Sequence, residues 1–292
     1  MSVQDLSEAQ KPAPGLYLVA TPIGNLEDIS LRALRILREV DVIACEDTRH
    51  TARLLDHFGI RRKCESHHEH NELQHTRRLI SLLKSGASVA LVSDAGTPLL
   101  SDPGYALVEE CRKSGIDVFP VPGPSAAVAA LIASGLPTDS FYFAGFLPPK
   151  SGLRKRKLQE LAAIPGTLVF YEAPHRILAA LEDMIQILGD RQACLARELT
   201  KMHEEWLPGT LATILNDFQG RRQVRGEITL VVDRGTAALP TAHSWPDSIR
   251  RHLEEEAAKT GMTQKEALKA VARKRGISRR DAYRQLVKES DE

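Results

Sequence analysis

From residue 16 to about residue 135, short apolar runs alternate with amphipathic ones, and this rhythm constrains the fold more than any other feature. Residues 16–20, 41–45, 87–92 and 117–121 are compact and apolar, as strands covered on both faces are. Residues 31–40, 51–58, 71–84, 105–114 and 125–134 carry helical spacing, with Leu31, Leu34 and Leu37 expected on one buried face of the first. Strands alternating with helices predict a parallel sheet with helices on both sides. A second unit begins near Pro137. Residues 141–146, 167–171, 193–197 and 228–233 read as strands, with a helix over 175–188. Hairpin-like connections around Gly209 and Gly226 predict that this sheet is mixed.

Three loops dense in Gly, Pro and Asp each follow a predicted strand. The longest is Ser93-Asp94-Ala95-Gly96-Thr97-Pro98-Leu99-Leu100-Ser101-Asp102-Pro103-Gly104; the others are Ala20-Thr21-Pro22-Ile23-Gly24-Asn25-Leu26 and Val121-Pro122-Gly123-Pro124-Ser125-Ala126. Open α/β sheets bind ligands at the carboxyl ends of their strands, so three such loops predict a small-molecule site. No G-x-G-x-x-G follows a strand, and no phosphate-binding G-x-x-x-x-G-K-[ST] or zinc-binding H-E-x-x-H occurs. Consecutive histidines such as His67, His68 and His70 on one short loop converge poorly on an ion, and no metal is expected.

The net charge of +1 gives no global sign of nucleic-acid binding, so any such role rests on local patches. One is Lys150, Arg154, Lys155, Arg156 and Lys157. Another is the C-terminal set Lys265, Lys269, Arg273, Lys274, Arg275, Arg279, Arg280 and Arg284. In that region Thr263 to Glu266 and Ser278 to Asp281 fit capping boxes, Gly276 suits the turn between them, and Leu268, Val271 and Ala272 can pack on Ala282 and Leu286. This predicts a helix-turn-helix. Four cysteines without C-x-x-C spacing read as reduced thiols of a cytoplasmic protein. Residues 1–14 are polar and read as a disordered tail rather than a signal peptide, and the apolar run 126–136 is too short to span a bilayer. The expected organisation is a tail (1–14), an N-terminal α/β domain (15–122), a second α/β domain with a mixed sheet (123–235), a proline-bearing linker (236–246) and a helical RNA- or ribosome-docking domain (247–292).

The motifs Thr21-Pro22-Ile23-Gly24-Asn25-Leu26, Glu46-Asp47-Thr48-Arg49-His50-Thr51, Ser93-Asp94-Ala95-Gly96-Thr97-Pro98, Pro122-Gly123-Pro124-Ser125-Ala126, Tyr171-Glu172-Ala173-Pro174-His175-Arg176 and Arg197-Glu198-Leu199-Thr200-Lys201 occur in order. Together they resemble the tetrapyrrole-methylase superfamily, and within it the bacterial enzymes that methylate the 2'-hydroxyl of a cytidine in 16S rRNA. The resemblance implies two α/β domains with S-adenosylmethionine (SAM) in the cleft between them, and a homodimer. By motif position it assigns Pro22, Asp94, Thr97, Ser125, Ala126, Glu172 and Leu199 to SAM, with the N–H groups at Ser125 and Ala126 toward its carboxylate. Asp47, Glu198 and Lys201 become candidates for removing the hydroxyl proton. Arg49, His175 and Arg176 join the basic cluster at 150–157, Arg279 and Arg280 as RNA contacts. Two alternatives share some of these features. One is a methyltransferase acting on a corrin or porphyrin; the other is a non-catalytic helix-turn-helix regulator.

Overall fold

The computed structural model describes residues 11–67, 72–234, 248–260, 262–274 and 279–289. The chain divides into two compact units, one up to Gly235 and one from Thr236.

In the first unit, β1 (Gly15–Val19), β2 (Val42–Cys45), β3 (Cys64–Ser66), β4 (Ser88–Val92) and β5 (Val118–Val121) form one sheet in the order β3-β2-β4-β1-β5. Every pairing in it is parallel, and Tyr17 lies opposite both Ala90 and Phe119. Helices α1 (Leu31–Glu39), α2 (Thr48–His57), α3 (Glu72–Lys84) and α4 (Tyr105–Lys113) cover it on both faces. Alternation along β1 explains why. Tyr17 and Val19 pack with Leu34, Ile36, Leu37 and Leu55 on one side, while Leu16 packs with Leu79, Leu83 and Leu107 on the other. Leu31, expected on the buried face of α1, is 50% exposed; Ala33 and Ile36 take the buried positions instead. Helix α2 starts three residues earlier than its apolar spacing indicates, because Asp47 caps it: the carboxylate accepts the Arg49 N–H at 2.8 Å.

The second sheet comprises β6 (Phe141–Phe146), β7 (Thr167–Glu172), β8 (Gln192–Arg197), β9 (Glu205–Thr210) and β10 (Ile228–Val232), in the order β6-β7-β10-β8-β9. Only β6 and β7 pair in parallel, so the sheet is mixed, as expected. The hairpin predicted around Gly209 turns instead at residues 198–204; Gly209 and Pro208 lie inside edge strand β9, where a missing donor is tolerated. Helix α5 (Ala126–Ala133) sets Ala127, Ala130 and Leu131 against Val169, Ala196 and Val231 of the second sheet, together with Ile23 from the loop after β1. On the opposite face, α6 (Ser151–Ala162), α7 (Ile177–Leu188) and α8 (Leu211–Gln219) bury Leu158, Leu181 and Phe218 over Phe170, Leu195 and Leu230.

The second unit contains α9 (Ile249–Thr260), α10 (Gln264–Lys274) and α11 (Arg279–Lys288). As predicted, Leu268, Val271 and Ala272 pack with Ala282 and Leu286; Ile249 and Leu253 complete the core. At the start of α10, Glu266 accepts hydrogen bonds from the Thr263 N–H (3.0 Å) and hydroxyl (2.7 Å). Glu289 caps α9 from beyond α11, taking the N–H groups of Ile249 and Arg250 at 2.9 and 3.1 Å. Gly276, Ser278, the expected linker and most of the expected tail lie outside the described residues.

Candidate active site

The three turn-rich loops leave the carboxyl ends of β4, β1 and β5, which are neighbours in the sheet. The chain ties them together. Thr21 and Gly96 exchange backbone hydrogen bonds at 2.9 and 3.0 Å, and the Thr97 hydroxyl donates to the Pro124 carbonyl at 3.0 Å. The Asp47 N–H donates to Asp94 Oδ1 at 3.1 Å, which joins the β2 loop to the same edge.

A cavity of about 320 Å³ opens where this edge faces the ends of β6, β7 and β10. Asp94, Thr97, Ala126 and Glu172 line it, so four of the seven expected SAM residues share one space. The other three are not among its lining residues. Pro22 is buried and its neighbour Ile23 forms the wall; Leu199 packs beside Ile23 in the core. Ser125 precedes α5 next to the cavity, and its buried Oγ lies beside the Tyr171 hydroxyl.

Backbone conformation marks the same region. Among the described residues, those other than glycine with left-handed φ are Leu99 (72°), Ser101 (73°), Glu198 (54°) and Thr200 (62°). Two belong to the β4 loop and two to the β8–β9 turn, so local strain concentrates on the two sides of the site. The two loops of that turn and of β1 also meet: the Asn25 N–H donates to the Thr200 hydroxyl at 3.0 Å. Gly226, at φ 91°, leaves no room for a side chain because Glu198 fills that volume.

The electrostatics separate the candidate bases. Lys201 bridges Glu198 at 2.8 Å and Glu227 at 3.2 Å. Burial works against its charge, yet these two carboxylates hold its pKa above the usual lysine value, so it keeps its proton. Burial also opposes ionisation of Glu198, but bonds from Lys201 and the Glu227 N–H hold its pKa below the usual value. Neither is then a strong proton acceptor, and Asp47 is occupied as a helix cap. Asp102, which the motif reading passed over, lines the cavity. Burial, with the negative charges of Glu46 and Asp94, raises its pKa to about 6 against a hydrogen bond from Ser93. Tyr171 was also missed: it lines the cavity, and its hydroxyl accepts the Ala127 N–H at 3.2 Å. The signal for Asp102 was present, since it ends the same loop as Asp94, but spacing alone does not say which aspartate the fold buries.

The expected RNA contacts divide. Arg49, Lys150, Arg156 and His175 are exposed. Lys155 and Lys157 are partly exposed beside Asp183 (3.3 Å) and Glu160 (3.4 Å). Arg154 is a correction. It is 3% exposed, and its guanidinium is bound to Asp183 (2.6 Å) and to the carbonyls of Pro149 and Ala179, so it holds α6 to α7 and is closed to phosphate. Arg176 is committed to Glu172 through Nε at 2.8 Å. The side chains of Arg279 and Arg280 lie outside the described residues, as do His68 and His70. Among the described residues no group of three His, Cys, Asp or Glu is placed to hold a metal ion.

The family described as Tetrapyrrole (Corrin/Porphyrin) Methylases matches residues 15–215. A protein of Halalkalibacterium halodurans named ribosomal RNA small subunit methyltransferase I is 47% identical over 97% of this chain and 98% of its own length. Its namesake in Pseudomonas aeruginosa is 53% identical over 74% of this chain and 78% of its own. Among solved structures, uroporphyrin-III C-methyltransferase of Thermus thermophilus superposes with a TM-score of 0.54 at 25% identity, over 76% of this chain and 94% of that one. The chain therefore belongs to the tetrapyrrole methylase family and, within it, to the group of ribosomal RNA small subunit methyltransferase I proteins.

Proposed function

We propose that this protein transfers the methyl group of SAM to the 2'-hydroxyl of a cytidine in the decoding region of 16S rRNA. The observation that carries this reading is 47% identity to a protein named for small-subunit rRNA methylation along nearly the whole chain. A corrin or porphyrin acceptor has weaker support, since identity to the porphyrin enzyme is 25%.

The cavity fits SAM chemically. Its volume of about 320 Å³ is that of a small-molecule pocket. The carboxylates of Asp94 and Glu227 favour a cation such as a sulfonium or an ammonium. Ile23, Leu100 and Ala126 offer apolar wall for an adenosine. At the start of α5, the Ser125 hydroxyl and the helix N-terminus suit a carboxylate. Bound there, SAM supplies a methyl group already activated by its positive sulfur, and no Lewis acid is required.

The chain's own residues then have two tasks toward the acceptor. Phe146 lines the cavity while 54% exposed, so its ring offers a flat surface on which a single-stranded base can stack. Lys150 at the N-cap of α6 and Arg156 midway along it are exposed, and can neutralise flanking phosphates. The helical unit from Thr236 adds a second RNA- or ribosome-facing surface in this reading, and a cytoplasmic homodimer is the expected form. No helix among the described residues is long and apolar enough to cross a membrane. Mass spectrometry of 16S rRNA nucleosides from cells lacking the gene tests the reading. One 2'-O-methylcytidine should disappear and return with the intact gene; an unchanged nucleoside profile would refute it.

A further inference from the structure

We propose that Asp102 is the catalytic base that takes the proton of the acceptor hydroxyl, an inference that rests on the methyltransferase reading above. Of the other carboxylates lining the cavity, Glu172 and Glu227 pair with a cation, and Asp94 ties the β4 loop to the β2 loop. Asp94 accepts the Asp47 N–H at 3.1 Å, and Glu172 accepts the Ala173 N–H and the Arg176 guanidinium, both at 2.8 Å. Glu227 sits on the exposed rim and takes Lys201 at 3.2 Å. Asp102 has a hydrogen bond from the Ser93 hydroxyl, and no cation contributes to its ionisation. It therefore keeps lone pairs available inside the cavity.

The fold also fixes where Asp102 points its loop. Ser101, immediately before it, adopts a left-handed φ of 73° and reaches into the bulge of β6, where the register shifts between Phe143 and Gly145. A β-carbon at Gly145 would stand 2.9 Å from the Ser101 hydroxyl, so the absence of a side chain there makes room for the loop. The base is thus presented by one sheet and braced by the other, and shares the cavity with Phe146.

In the transfer, a lone pair of the 2'-oxygen forms the new C–O bond, and the S–CH3 bonding pair leaves with sulfur as a neutral thioether. The hydroxyl proton passes to the Asp102 carboxylate and from there to water. The charges that act on Asp102 are those of Glu46, just after β2, and Asp94, on its own loop; Glu172 and Glu227 also line the cavity but are paired with Arg176 and Lys201. Burial first, and then the two negative charges, raise the proton affinity of Asp102 and make it a better acceptor than an ordinary aspartate near neutral pH.

The test uses the full-length protein with small-subunit rRNA and labelled SAM. Asp102→Asn should lower kcat by roughly 10²–10⁴-fold, with S-adenosylhomocysteine binding by calorimetry unchanged and Asp102→Glu restoring part of the rate. Wild-type kcat/KM should rise with pH through a midpoint near about 6, and the Asp102 carboxyl carbon should titrate there by NMR in the free protein. That limb should be missing from Asp102→Asn. Wild-type rates in Asp102→Asn, survival of the limb, or loss of S-adenosylhomocysteine binding in step with activity would each overturn the proposal while leaving the functional reading intact. A wild-type protein that labels no ribose would overturn the reading itself.

Discussion

Arg154 and Arg156 stand two positions apart on α6 and do different work. The Arg154–Asp183 pair is almost entirely buried, with side chains 4% and 9% exposed, whereas Arg156 faces solvent. Removing one partner of a buried pair leaves an uncompensated charge, so Arg154→Ala should cost about 3–5 kcal/mol of folding stability in denaturant titration. Arg156→Ala should stay within about 0.5 kcal/mol of wild type, while weakening RNA binding and lowering its salt dependence. A second residue-scale expectation concerns pH. The Asp102 pKa is raised from 3.8 to about 6 by burial and neighbouring carboxylates. The folded state therefore binds that proton more tightly than the unfolded chain does. Its contribution to stability is present at low pH and is lost as pH rises through about 6. The melting temperature of Asp102→Asn relative to wild type should accordingly climb between about pH 4 and pH 6 and level off above that. A flat difference across that range would mean that Asp102 is not perturbed.

Helix α5 shows how an element can serve two partners. It follows β5 of the first sheet, yet its small residues Ala127 and Ala130 pack on the second. Its sequence is apolar nearly all round, so periodicity assigns it no face, and Val128 and Ile132 remain 47% and 71% exposed. The Ser125 side chain makes no capping bond. Ser125→Ala should therefore leave the melting temperature nearly unchanged. It should weaken SAM binding about tenfold, the loss of roughly one hydrogen bond to a charged group. Equal affinity of both proteins in calorimetry would remove the hydroxyl from the binding site. The strands and loops that build this edge were legible because each alternates strongly with an amphipathic helix. Strand β3 was missed because its three residues are all only half-buried and carry no apolar pattern. Helix α6 was hidden by its basic run, which reads as surface until Asp183, 29 residues beyond Arg154, supplies the buried counter-charge. Within the site, motif position picks out Asp94, Thr97, Ala126 and Glu172, which line the cavity, but not Asp102, which lines it too because the fold buries it there.

At the scale of the whole molecule, the unit from Thr236 has its own apolar core around Val271 and Ala282, distinct from the sheets that form the cavity. A protein ending at Gly235 should retain SAM affinity in calorimetry, but bind small-subunit RNA more weakly and with a shallower salt dependence. Unchanged RNA binding across salt concentrations would exclude a docking role for the three helices. The central claim, that the cavity between the two sheets serves ribose methylation of rRNA, is tested most directly with purified protein, SAM labelled in its methyl group, and small ribosomal subunits from cells lacking the gene. After digestion, the label should appear in 2'-O-methylcytidine from a single 16S rRNA site, and Asp94→Ala, which breaks the tie to the Asp47 loop, should reduce it. Label on a nucleobase, or transfer to a porphyrin with none to rRNA, would contradict the account.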